Sequence, residues 1–174
     1  IAFARGMEAA GVIPTYKHFP GLGRVTANTD TADGVTDSIT TRSGDPAVSV
    51  FAEAITGGAR VIMVSSAIYS AIDSSAPATF SSVVVTDMLR GDLGFTGVVI
   101  TDDVSAAVQV DAWAPAERAV QAVKAGCDIV LASADATMAA DMAEALIAEA
   151  QADPAFAQRV DESATRVISL KAGS

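Results

Sequence analysis

The 174-residue sequence contains one cysteine, Cys127, and one histidine, His18. A lone thiol closes no internal disulfide and excludes a cysteine-based metal cluster. A lone imidazole excludes the usual zinc spacings. Aromatic residues are only 5% of the chain, and 11 basic residues stand against 21 acidic ones, a formal net charge of −10. A field of that sign repels phosphate backbones and anionic lipid headgroups, so nucleic acid is not an expected partner. No apolar run approaches the roughly 18 residues that a membrane span needs. No leader pattern of charge followed by an apolar core is visible. A single cysteine suits the cytoplasm and a disulfide-free exported protein equally and assigns no compartment.

What is abundant is small aliphatic residues. The chain is 51% hydrophobic and 18% charged, enough to bury a core and too apolar for general disorder. Four short apolar segments stand out: Val12–Tyr16, Arg60–Ser65, Gly97–Thr101 and Cys127–Ala132. Each is rich in β-branched residues and too short for a helix, and each reads as a strand buried on both faces of a parallel sheet. Helical patterns lie between and around them, at residues 46–56, 81–90, 115–124, 135–151 and 154–170. Gly57-Gly58, Gly91 and Gly126 act as stop signals, and Asp153-Pro154 as an N-cap followed by a first-turn proline.

The order is helix, then strand and helix four times, then a further helix. Such a series predicts an α/β fold with parallel strands and right-handed crossovers. Four consecutive βα units make the half of a (β/α)8 TIM-type barrel or most of a doubly wound sheet. Residues 1–10 already read as the middle of an amphipathic helix, so the expectation is a piece of a longer protein.

The longest irregular stretch, residues 19–45, follows the first strand. Loops of that length in compact domains carry function or are disordered. Barrels keep their chemistry at the C-terminal ends of strands. Two such ends bear reactive side chains. One is Gly97-Val-Val-Ile-Thr-Asp102-Asp103, where an apolar strand runs into two carboxylates. Side chains alternate along a strand, so one Asp should face the mouth and the other turn away. The plainer reading is a helix cap. The other is Lys17-His18-Phe19-Pro20-Gly21, whose donors beside a Pro-Gly turn suit a polyol, although a structural histidine is the simpler role. Pro20 raises the question of a cis peptide bond. Gly21-Leu22-Gly23-Arg24 lacks the later glycine of a phosphate loop.

Lys17-His18-Phe19-Pro20-Gly21, with Gly94 through Asp103 some 80 residues on, resembles glycoside hydrolase family 3, and within it the bacterial β-N-acetylglucosaminidases. Val61-Ile62-Met63 through Tyr69, Ala125-Gly126-Cys127-Asp128-Ile129 and Val160 through Lys171 resemble further family segments in the same order. The resemblance implies a (β/α)8 barrel of which residues 1–174 form a single partial domain, the C-terminal half, with residues 19–45 as an active-site loop. It implies Asp102 as nucleophile of a retaining glycosidase for β-linked N-acetylglucosaminides or glucosides, with no metal or organic cofactor. Lys17 and His18 would bind sugar hydroxyls, and Asp103 would support the site.

The loop departs from the family. Leu22 stands where this branch has His, and Asn28-Thr29-Asp30 stands where it has Asp-Ser-His. The acid/base position therefore falls to Asp30, with Asn28 as its partner; Asp33 and Asp37 are alternatives. Ser65-Ser66 replaces the usual Ala-His. The expected partners are a carbohydrate substrate and either the N-terminal half-barrel or a second copy, without which the chain should be inactive. Two other function classes stay open: a non-catalytic carbohydrate-binding relative, and a Schiff-base lyase or aldolase using Lys17.

Among the other residues, Cys127, Met138 and Met142 read as core. Trp113 reads as packing or as a sugar-stacking ring. Arg24 and Arg42 are solvated or substrate-facing.

Overall fold

The computed structural model describes residues 1–42 and 44–173. Ser43, within the expected loop, and Ser174 lie outside the described residues. The architecture is α/β. Helix α1 (Ala2–Ala9) leads into β1 (Thr15–Phe19), then β2 (Thr36–Asp37), α2 (Pro46–Thr56), β3 (Val61–Val64) and β4 (Ile68–Tyr69). After a π-helix, Val83–Asp92, come β5 (Val98–Asp103), α3 (Pro115–Ala125), β6 (Ile129–Leu131), α4 (Ala139–Ala152) and α5 (Pro154–Ala172).

Four strands form one parallel sheet in the order β1-β3-β5-β6. The central pairing is in continuous register, from Val61 opposite Val98 to Val64 opposite Thr101. Ile62, Val64 and Val99 are fully buried, as a sheet covered on both faces requires. On the helix side Val85, Leu89 and Ala122 are equally enclosed. Each buried branched side chain contributes about 1.5–3 kcal/mol relative to exposure.

Local signals set the helix limits. Asp45 caps α2 by accepting from the Ala47 amide (2.9 Å), Pro46 occupies the first turn and Gly57 ends it. Asp153 caps α5 in the same way, from Ala155 N–H. Helix α3 ends at Gly126, at φ 119°. A Cβ there would sit 2.6 Å from Thr86 Oγ1, so the sharp exit from α3 toward β6 depends on glycine.

Three expectations are corrected. The first strand is not Val12–Tyr16 but Thr15–Phe19. Pro14 has no N–H to give a sheet, and pairing with β3 begins at Thr15 opposite Val61; Lys17 and His18 therefore lie inside the strand. The segment at 81–90 starts later, because Ser81 is extended and its hydroxyl accepts from the Val84 amide, and it winds as a π-helix that runs through the expected stop at Gly91 to Asp92. The loop of residues 19–45 is not wholly irregular: β2 within it pairs in parallel with β4. Val35 and Asp37 are buried there, and Asp37 closes a turn by accepting from the Ile39 and Thr40 amides and the Thr40 hydroxyl.

At the N-terminal end of the sheet, Asp128 is fully enclosed. It accepts from Arg90 (2.6 Å), Arg159 (2.7 Å), Arg166 (3.2 Å), Ser163 (3.0 Å) and the Val99 amide (2.9 Å). This one carboxylate ties the start of β6 to β5, the π-helix and α5.

Candidate active site

The opposite, C-terminal end of the sheet opens into a hollow of about 470 Å³, whose walls include Lys17, Asp30, Met63, Asp102, Asp103 and Ser133. That is the size of a small-ligand site. A second hollow, of about 380 Å³, lies at the N-terminal end beside Arg60, Gly97 and Arg166. No carboxylate is among its lining residues.

Strand β5 delivers the central group. Val98 and Val99 are buried among the helices, and Thr101 Oγ1 accepts from the Leu131 amide (2.9 Å), holding β6 alongside. Asp102 then emerges with its side chain 18% exposed. One of its oxygens accepts from the Asp103 amide (2.9 Å), and the other lies 3.5 Å from His18 Nε2. Asp103 turns to different partners: Ser133 N–H (2.7 Å), Ser105 hydroxyl (2.8 Å), Ala106 N–H (3.0 Å) and Ala134 N–H (3.2 Å). Burial works against its ionisation, yet these donors prevail and hold its carboxyl at about 2. Asp103 brackets the loops after β5 and β6, while Asp102 keeps acceptor capacity toward the hollow.

Strand β1 supplies Lys17 and His18. Lys17 is exposed at the hollow's wall and His18 is half-buried. The Lys17–His18 and Phe19–Pro20 peptide bonds are both cis. Burial depresses the His18 pKa; Asp102 pulls it back up, Lys17 adds to the depression and Asp30 opposes it, and the net direction is down. The imidazole is thus neutral at pH 7, able to donate from one nitrogen and accept at the other. Lys17 shares its hollow with Asp102 and Asp30. A Schiff-base amine is set in a hydrophobic pocket or beside another cation, and a hollow shared with two carboxylates is neither.

The long loop brings Asp30 to the same hollow as Asp102. Asn28 acts on loop shape: its side-chain oxygen accepts from the Asp30 amide (2.9 Å), and its carbonyl accepts from the Thr31 and Ala32 amides. The alternatives do not reach the site. Asp33 is exposed outside the hollow's lining. Asp37 is 2% exposed with its oxygens occupied by Thr40 and Ile39; burial opposes its ionisation, but those donors keep its carboxyl below the usual range.

The remaining candidates are structural. Arg24 bonds Thr40 and Asp45, and Arg42 bonds Asp92. Trp113 packs edge-on against Phe80, with centroids 5.4 Å apart. Cys127 is fully buried, its thiol pushed up to about 12 by that burial. Gly21 lies against α2, where a Cβ would meet Ala47 Cβ at 2.6 Å, rather than cradling an anion. Ser65 and Ser66 are both buried; Ser65 Oγ accepts from the Ala67 amide, and Ser66 Oγ finds no partner among the described residues. Sequence reasoning missed Ser133 and Ala134, whose signal was their place directly after the last strand.

A parallel sheet with paired carboxylates at its C-terminal mouth is the layout of a barrel glycosidase, and comparison with known proteins agrees. Residues 1–170 match the model of the glycosyl hydrolase family 3 N-terminal domain, and the chain belongs to that family. It is 40% identical over 135 residues to a beta-hexosaminidase of Psychromonas ingrahamii, covering 77% of this chain and 40% of that protein. It is 36% identical over 177 residues to an uncharacterised secreted glycosyl hydrolase of Arthroderma benhamiae, covering 98% of this chain and 49% of that one. The crystal structure of a beta-N-acetylhexosaminidase from Beutenbergia cavernae superposes with a TM-score of 0.97 at 58% identity, covering 98% of this chain and 50% of that one. The chain thus spans half or less of the length of these relatives, and its α/β fold is that of part of a TIM-type barrel.

Proposed function

We propose that this chain carries the catalytic face of a retaining glycoside hydrolase that cleaves terminal β-linked N-acetylhexosaminides. The observation that supports this most is the convergence of Asp102 and Asp30 on one hollow, with Lys17 in its wall and His18 3.5 Å from the Asp102 carboxylate.

In this reading an Asp102 oxygen attacks the anomeric carbon. The glycosidic C–O bond breaks, and Asp30 gives its proton to the departing oxygen. Asp30 then takes a proton from water, whose oxygen attacks the same carbon and releases Asp102. Two inversions give net retention, which requires carboxyl groups about 5–5.5 Å apart. The acid must hold its proton while the nucleophile is ionised, so their surroundings must differ. Asp102 is largely enclosed beside His18 and Asp30 stands on an exposed loop, so this mechanism requires the bound sugar or the other half of the barrel to cover Asp30 and favour its protonated form. Neutral His18 and cationic Lys17 bind sugar hydroxyls. Asp103 and Asn28 act on loop shape and position the two carboxylates.

The chain is read as the later half of one catalytic barrel domain, inactive unless it is paired with the first half or a second copy. Strands β1 and β6 each have one neighbour in the sheet. The β6 residues Ile129, Val130 and Leu131 are only half-buried, and Phe3 is 83% exposed. Unpaired edges and uncovered apolar residues of this kind invite a partner.

The test uses the assembled barrel and aryl N-acetylhexosaminides of graded leaving-group acidity. Asp30→Ala should spare substrates with good leaving groups and lose about 10²–10⁴-fold on poor ones. Equal losses across the series would remove Asp30 from the acid role.

A further inference from the structure

We propose that Gln109 is a positioning residue that sets Asp30 opposite Asp102. The inference rests on the reading of those two carboxylates given above.

The problem it answers is geometric. Asp30 sits on an exposed loop, well along the chain from both the end of β1 at Phe19 and the start of α2 at Pro46. A 1 Å misplacement of a catalytic group can cost about 10²-fold in rate, so something must hold this segment still. Asn28 and Gly34 make only local bonds within it. Among the described residues, the hydrogen bonds that tie residues 29–34 to the rest of the fold come from Val108 and Gln109.

The contact is a bracket on both sides of Asp30. The Gln109 amide donates to the Thr29 carbonyl (3.1 Å), and the Val108 amide to the Asp30 carbonyl itself (3.3 Å). The Gln109 side chain then forms a closed pair with Val35: Oε1 accepts from the Val35 amide (2.8 Å), and Nε2 donates to the Val35 carbonyl (3.3 Å). Gln109 is 5% exposed and Val35 4%. A buried amide must be satisfied at both ends, and only one orientation of Gln109 matches one donor and one acceptor on the same residue.

The bracket is anchored on the nucleophile's own strand. Val104 directly continues β5 beyond Asp103. Buried Arg118 on α3 fixes the connection by donating to the Val104 and Ser105 carbonyls (both 2.9 Å), the Trp113 carbonyl (2.8 Å) and Asp111 (3.2 Å). From Asp102 to Gln109 the chain is therefore one pinned unit. Through Gln109 the loop bearing Asp30 is referenced to the strand bearing Asp102, at the point where the loop also joins β4 by the Ile68 amide donating to the Val35 carbonyl (2.9 Å).

The experiment uses the assembled barrel with Gln109→Leu and Gln109→Glu and the same graded aryl substrates. Gln109→Leu should lose about 10²-fold on poor leaving groups and far less on good ones, because a displaced acid matters only where protonation is needed. Gln109→Glu keeps the acceptor for Val35 N–H and recovers the donor only when protonated. Its rate on poor leaving groups should therefore approach the parent at low pH and fall as the new carboxyl ionises. If Gln109→Leu does not fold, this pH-dependent recovery decides the matter.

Equal losses on all substrates, or no change in leaving-group dependence and no low-pH recovery, would overturn the proposal. Asp30→Ala run beside them separates the two failures. If it steepens leaving-group dependence and the Gln109 variants do not, Gln109 alone is wrong. If Asp30→Ala itself has no such effect, the acid assignment falls first.

Discussion

Asp102 and Asp128 are the same residue type at opposite ends of one sheet, and they have been put to opposite uses. Asp128, entering β6, is fully enclosed and receives three guanidinium groups, a serine hydroxyl and a backbone amide. Asp102, leaving β5, receives one backbone amide and has His18 3.5 Å away, with 18% of its side chain open. A carboxylate whose lone pairs are all taken can only hold elements together. One with spare acceptor capacity at the mouth of a hollow can attack or bind. Barrels divide labour this way, stability at the N-terminal face and chemistry at the C-terminal face.

The contrast can be broken most forcefully at Asp102. Asp102→Ala should lower kcat of the assembled barrel by about 10³-fold or more with little change in melting temperature. Near-parental turnover would end the nucleophile assignment. Asp128→Ala should do the reverse. It strands three cations, and removing one partner of a buried ion pair costs about 3–5 kcal/mol, read as a lower denaturation midpoint. The kcat of the molecules that remain folded should be unchanged. A variant that keeps its stability but loses activity would invert the comparison.

A smaller effect comes from Asp103, which lies beside Asp102 but behaves like Asp128. Its folded carboxyl sits at about 2, below the unfolded value near 3.9. The stabilisation is therefore present above about pH 4 and lost as pH falls toward about 2. Allowing for its partial exposure, the contribution is of order 1 kcal/mol. Asp103→Asn should flatten the stability profile between about pH 4 and 2. A profile parallel to the parent's would show that the donors from Ser133, Ala134 and Ala106 do not stabilise the ionised form.

How much of this could be read from the sequence depends on how local each cause is. Helix α2 runs over the predicted residues because its causes are neighbours: Asp45 as cap, Pro46 in the first turn, Gly57-Gly58 at the end. The apolar run into Asp102 was equally legible, since burial and β-branching act within one strand. The shift of β1 was not, because it depends on which of its residues meets Val61 across the sheet. The pairing of β2 with β4 joins segments some 30 residues apart, with no periodicity to announce it. Convergence of Asp30 with Asp102 was suggested only through family resemblance; the residues alone offered several acids. Gln109 was invisible, because its partner Val35 lies 74 positions away and a lone buried glutamine leaves no pattern.

The most direct measurement is mass spectrometry of the assembled barrel after reaction with a 5-fluoro N-acetylhexosaminyl fluoride, which slows release of a glycosyl-enzyme. The account predicts one sugar per active barrel, mapped by peptide analysis to Asp102. An adduct on another residue, or none while substrate is still being turned over, would contradict it.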